Sequence, residues 1–186
     1  MTIKRKYHGH VIAANPNNPK DKLSKSTILL VTHADNLAIG LQVNNPLVDT
    51  DLQSVAHNIG IWWEGSDPLW YGGDNQTNKI HVVHSTDWSG LSTIQINDQI
   101  AVTNDISIIA AISRNEGPEF FRACVGYWAW ENGEFDKQLA AGPNDNVTHK
   151  WELAPANIEN IFNREGPDQW RQVLEDSAKY QVANWF

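Results

Sequence analysis

Short apolar or β-branched segments succeed one another through most of the chain, and clear helical periodicity waits until its end. Val11 to Ala14, Thr27 to Thr32, Ala38 to Val43, Ile80 to His84, Ser92 to Ile96 and Phe121 to Trp130 each read as a strand bounded by Asn, Asp, Gly or Pro. Strands grouped ahead of a helix-rich C-terminal third argue for an α+β fold rather than a doubly wound alternation. Helices are expected between and after the strands. Thr50-Asp51-Leu52-Gln53 has the pattern of a capping box with Thr50 as the cap, and Gly60 is placed to stop that helix. A second helix should open around Thr103-Asn104-Asp105 and run to Ser113. Pro167 suits a first helical position, and Trp170, Val173 and Leu174 then share one face, which should pack on the sheet.

A chain of 186 residues without repeats, low-complexity tracts or a linker reads as a single domain over 1–186, with residues 1–10 as a flexible basic arm. No stretch approaches the roughly 20 apolar residues of a membrane span, and the charges of Met1 to Lys6 precede no apolar signal core. A cytoplasmic location without membrane contact is therefore expected. The single Cys124, in the strand-like run Arg122 to Tyr127, agrees: it cannot form an internal disulfide and reads as a buried, inert thiol.

The net charge of -8 is unevenly spread. Residues 1–25 carry +5, through Lys4, Arg5, Lys6, Lys20, Lys22 and Lys25 against Asp21, so the remainder carries -13. An acidic body repels the phosphate backbone, which disfavours direct DNA binding outside the N-terminal arm.

No constellation of residues declares a reaction. Gly72-Gly73-Asp74-Asn75 reads as a turn between strands ahead of an anion-binding nest, because no Lys-Ser/Thr follows as in a phosphate loop. His81 and His84 fall on opposite faces of one strand, whereas His8 and His10 share a face and could begin a metal site whose third ligand would be His33 or a carboxylate. No metal or cofactor is assigned. Trp128 and Trp130 share a face and read as core ahead of a stacking shelf. A hydrolase would need His84 as base with Asp74 or Asp105 as its orienter, and no Gly-x-Ser-x-Gly elbow is present.

Six ordered blocks carry a family resemblance. Val11-Ile12-Ala13-Ala14 is similar to an opening apolar strand, and Leu23 to Ser26 to the entry of the next strand, which ends at His33. Asn36 to Gly40 with Val43-Asn44-Asn45-Pro46-Leu47, Tyr71-Gly72-Gly73, Lys79 to His84, and Gly126-Tyr127-Trp128-Ala129-Trp130 through Asp136 follow, with Trp151, Phe162 and Trp170 completing the series. In these blocks the chain resembles the AlgH/YqgE family of uncharacterised bacterial proteins, often labelled transcriptional regulators. Leu37, Asn45, Asp74, Ile80 and Glu134 depart from the family pattern, and the stretch between Gly133 and Trp151 is longer, which implies an enlarged surface loop.

The resemblance implies a mixed, partly barrel-like sheet with helices packed on it. The expected function is a non-catalytic regulatory or binding domain that contacts a protein or a small polar ligand. Its expected binding edge is built by Asn44, Asn45, Pro46, Tyr71, Gly72, Gly73, Asp74 and His84.

Overall fold

A computed structural model describes residues 6–15, 23–142, 144–147 and 149–185. Lys4, Arg5, Lys20 and Lys22 of the basic segment lie outside the described residues. The elements run β1 His10–Ala14, β2 Thr27–Ala34, β3 Leu37–Gln42, β4 Pro46–Asp51, α1 Leu52–Asn58, β5 Pro68–Tyr71 and β6 Asn75–Ser85. They continue with β7 Ile94–Gln95, β8 Ile100–Thr103, α2 Ser107–Ser113, β9 Phe121–Glu131, α3 Glu134–Ala140, β10 Trp151–Pro155, α4 Ile158–Phe162 and α5 Gly166–Ala183.

The strands form one curled sheet in the order β10-β1-β2-β3-β9-β6-β8-β7. The long β9 is its hub. Along one side it pairs with β6; along the other it pairs with β3 through residues 128–131 and with β5 through residues 123–125. The β5–β9 pair is parallel and the other ladders are antiparallel, so the sheet is mixed. Curling brings its two ends together: Asn97, in the β7–β8 turn, donates to the Ala156 carbonyl just past β10 at 2.9 Å. The result is a half-barrel.

Apolar side chains occupy both faces of the first strands, and the period of two explains where each one goes. In β1, Val11 and Ala13 face the inside of the curl and Ile12 and Ala14 the outside; in β2, Leu29 and Val31 face inward and Ile28 and Leu30 outward. Both faces are covered. Inside, Val173, Trp170 and Leu174 of α5 join Ile161 of α4 over the sheet, as the spacing of the C-terminal helix predicts. Outside, Phe135 of α3 packs with Trp130 and Trp151, while α1 and α2 cover the β6–β8 half through Leu52, Ala56, Ile108 and Ile109. Trp130 is core and Trp128 packs partly buried beside it.

Local chemistry sets the helix ends. The cap of α1 is Asp51, whose carboxylate accepts from the Ser54 amide at 2.8 Å, and not Thr50 as the capping-box pattern suggests. Gly60, at φ +80°, ends that helix as expected. Helix α2 begins at Ser107, because Thr103 still belongs to β8 and Asp105 turns back to accept the Ser107 amide. The sequence pattern missed β4, β5, β8 and β10; β10 closes onto β1 within the third expected to be helix-rich. The long Gly133–Trp151 interval contains α3 before its loop.

Candidate functional site

Seven of the eight expected edge residues come together and the eighth does not. The Asn45 carbonyl accepts from the Tyr71 amide (2.8 Å), Pro46 lies opposite Trp70, and the Gly72 carbonyl accepts from the Gln42 amide (2.9 Å). The Tyr71 hydroxyl donates to the Asp74 carboxylate. Burial first, and then that carboxylate, push the Tyr71 phenol up to about 12. His84 sits far along β6. Asn75 pairs with Tyr127 but His84 with Phe121, six residues along β9 and so roughly 20 Å away at strand rise.

Within this edge Asn44 serves the scaffold. Its buried side chain accepts from the Thr27 amide (2.9 Å) and donates to the carbonyls of Lys25 (2.8 Å) and Gly166 (3.0 Å), tying the start of β2 to the start of α5. The diglycine is a backbone contact. A Cβ on Gly72 would stand 2.3 Å from the Gly126 carbonyl oxygen, and one on Gly73 2.2 Å from the Tyr127 carbonyl carbon, so the turn between β5 and β6 presses directly on β9. Gly126 itself adopts φ +73° there. Both glycines thereby set the position of Tyr127.

The expected hydrolase pairing is not assembled. The His84 ring is fully buried edge-on to Trp88 and donates from Nδ1 to the Ser85 carbonyl (2.7 Å); Nε2 is buried without a partner. Burial lowers its pKa. Asp74 lies at the distant edge with Tyr71, and Asp105 is occupied by the Ser107 amide. The His8 and His10 rings likewise go separate ways, His8 Nδ1 donating to the Val31 carbonyl (2.8 Å) and His10 Nε2 pairing with the Tyr180 hydroxyl (3.4 Å). Among the described residues no three His, Cys, Asp or Glu side chains gather as metal ligands. Cys124 is wholly buried, and burial pushes its thiol up to about 12, so it is inert as a nucleophile.

The curl itself creates a cavity of about 290 Å³ between β2–β3 on one side and β7–β8 on the other. Its apolar wall is Val31, Ile39, Leu41, Ile94 and Val102. Thr32, Ser92, Asn104, His81 and Tyr127 supply its polar groups. Ser92 is bonded to Thr103 (3.2 Å), but His81 is committed to nothing. Whereas His8, His10, His33, His57 and His84 each make a hydrogen bond, the His81 ring makes none among the described residues, and its Nε2 is buried beside the edge-on Tyr127 ring. Burial, and then the charge of Lys79, lower the His81 pKa, so the imidazole is neutral at pH 7. Neither His81 nor Tyr127 is among the residues expected from sequence. The available signal was strand parity, which sends His81 to the face opposite His84 and therefore into the curl.

A second cavity, about 330 Å³, has Arg122 in its wall. Arg122 is 5% exposed and feels the charge of Glu165 in the same wall; its guanidinium donates to the carbonyls of Val43, Phe162 and Arg164 and to the Gln169 side chain. It is a bracket between the sheet and the α4–α5 junction.

Fold and cavity together define a class: an α+β half-barrel of one domain whose curled sheet encloses a pocket on its concave side. The chain belongs to the AlgH-like family, whose model matches residues 11–179. A UPF0301 protein of Methylococcus capsulatus is 28% identical over 172 residues, 91% of each chain. Another, of Rhizobium leguminosarum, is 28% identical over 177 residues, covering 90% of this chain and 85% of its own. The solution structure of the AlgH protein from Pseudomonas aeruginosa superposes with a TM-score of 0.75 at 21% identity, covering 95% of this chain and 92% of that one. A Corynebacterium diphtheriae protein does so at 0.72 and 17%, over 94% and 89%. These likenesses establish the fold. No helix among the described residues is long and apolar enough to cross a membrane.

Proposed function

We propose that the chain is a non-catalytic, regulatory binding domain whose ligand occupies the concave pocket of the half-barrel. The observation that carries this reading is His81, an uncommitted imidazole in an uncharged cavity with an aliphatic wall. A buried polar group without a partner costs roughly 1–3 kcal/mol, and a ligand that supplies the partner recovers that cost on binding. Catalysis is not favoured, because no carboxylate lines the pocket to orient His81 and the Ser92 hydroxyl is turned toward Thr103. The buried lone thiol of Cys124 supports a cytoplasmic setting.

The test is a ¹H–¹³C methyl NMR screen of neutral one- and two-ring fragments. Binding should shift the methyl signals of Val31, Ile39, Leu41, Ile94 and Val102 together. A Val102→Trp variant, which fills the cavity, should abolish those shifts. If wild type stays silent across the library, the reading fails.

A protein contact is the second reading, through the edge of Asn45, Pro46 and Tyr71 to Asp74. Its support is that these segments converge on one surface, beside a Val48 that is 93% exposed.

A further inference from the structure

Resting on that binding reading, we propose that the pocket selects a neutral hydroxyl-bearing ring compound, and that His81 with Tyr127 reads the hydroxyl. Charge comes first. None of the ten lining residues is Asp, Glu, Lys or Arg, so a carboxylate or ammonium entering the pocket would lose its hydration without gaining a counter-ion. Lys79 sits two residues from His81 on β6 and is exposed, outside the lining. The ligand is therefore uncharged.

Size comes next. About 290 Å³ lies just under the roughly 300–1,000 Å³ that takes drug-sized molecules, so the occupant has one or two rings. Val31, Ile39, Leu41, Ile94 and Val102 provide branched aliphatic walls on which such a ring can pack.

The polar end then narrows the class. A neutral imidazole offers one donor and one acceptor. Neither ring nitrogen of His81 and no hydrogen bond from the Tyr127 hydroxyl is committed among the described residues, and the two rings meet edge to face with centroids 5.9 Å apart. A ligand hydroxyl both donates and accepts, so it satisfies His81 in either tautomer and still leaves one bond for Tyr127. An ether or ketone only accepts.

Three compounds of one shape test this: 4-ethylphenol, 4-ethylanisole and 4-ethylbenzoate, titrated into the full chain and followed by methyl NMR. The phenol should bind at least tenfold more tightly than the anisole, and the benzoate should not bind. His81→Phe should level phenol and anisole, whereas His81→Gln, which keeps a donor and an acceptor, should retain part of the preference; circular dichroism confirms that both fold. Equal binding of all three compounds, with the pocket methyls shifting, would overturn the hydroxyl selectivity while leaving the pocket intact as a binding site. Silence at the pocket methyls for every compound would overturn both. A preference for the phenol that survives His81→Phe unchanged would remove His81 from its recognition.

Discussion

The guanidinium carbon of Arg122 stands 3.9 Å from the centre of the Trp70 ring, and Phe162 lies at 6.0 Å. This cation is buried and pulled down to about 10 by desolvation, yet it stays charged at neutral pH because four carbonyl-type oxygens and an aromatic face replace its water. Val43 precedes β4, while Phe162, Arg164 and Gln169 belong to the α4–α5 region, so one side chain joins parts of the chain more than 100 residues apart. Arg122→Lys keeps the charge but presents one nitrogen in place of the planar fork. It should lower stability by about 2–4 kcal/mol, measured by urea unfolding, because several buried acceptors lose their donor.

The close approach of β5–β6 to β9 makes a graded prediction about glycines. Gly60→Ala places a Cβ in open space and has only the left-handed φ of +80° to contend with, so it should cost about 1–2 kcal/mol. Gly72→Ala drives a Cβ to 2.3 Å from the Gly126 carbonyl oxygen, a backbone atom that cannot swing aside. The second variant should be the more destabilised of the two in thermal melts. It should also shift the NMR signals of Tyr127, whose backbone adjoins this contact.

Much of the fold is legible in the sequence because its strands are apolar on both faces. Val11 to Ala14 and Thr27 to Ala34 alternate between two cores and could be little else. By contrast, Trp151–Pro155 contains a Glu and a Pro, and what makes it a strand is its ladder with His10–Ala14, some 140 residues earlier. The polar run Pro46–Asp51 is a strand for the same reason, through β5. The candidate site was legible only in pieces. Asn44 to Asp74 converge as the blocks suggested, but the pocket exists only once the sheet curls, and curvature has no local letter code. His81 and His84 lie three residues apart on β6, and parity alone sends the two to opposite faces.

Three histidines, His84 buried and His10 and His81 half-buried, are desolvated at the expense of charge, and they set a pH window. His10, His81 and His84 all have pKa values lowered below 6.5, with desolvation the largest cause in each. The folded state then binds fewer protons than the unfolded chain, so stability is full above pH 6.5 and falls as pH drops through the lowered values. The groups near His81 do not reverse this: Lys79 on its own strand lowers the pKa further, and on β9 burial holds the Cys124 thiol up to about 12. Asp51, Asp87 and Asp105, lowered from 3.8, act only in a more acidic window. Urea unfolding at half-unit steps should show a decline beginning near pH 6.5, and His84→Gln should reduce its slope.

A residue kept for a ligand and one kept for the fold respond oppositely to the same substitution. His8 donates to the Val31 carbonyl at 2.8 Å, so His8→Phe removes a made bond and should cost about 1 kcal/mol. His81 makes no bond and sits among Val31, Ile39, Leu41 and Val102, so His81→Phe exchanges an unsatisfied ring for an apolar one of similar shape. It should gain about 1 kcal/mol, which for a chain of this size raises the melting temperature by about 2–4 °C. Stability won by removing a polar side chain is the expected mark of a binding position, because function there works against the fold. A His81→Phe variant that melts lower than wild type would instead make His81 part of the scaffold.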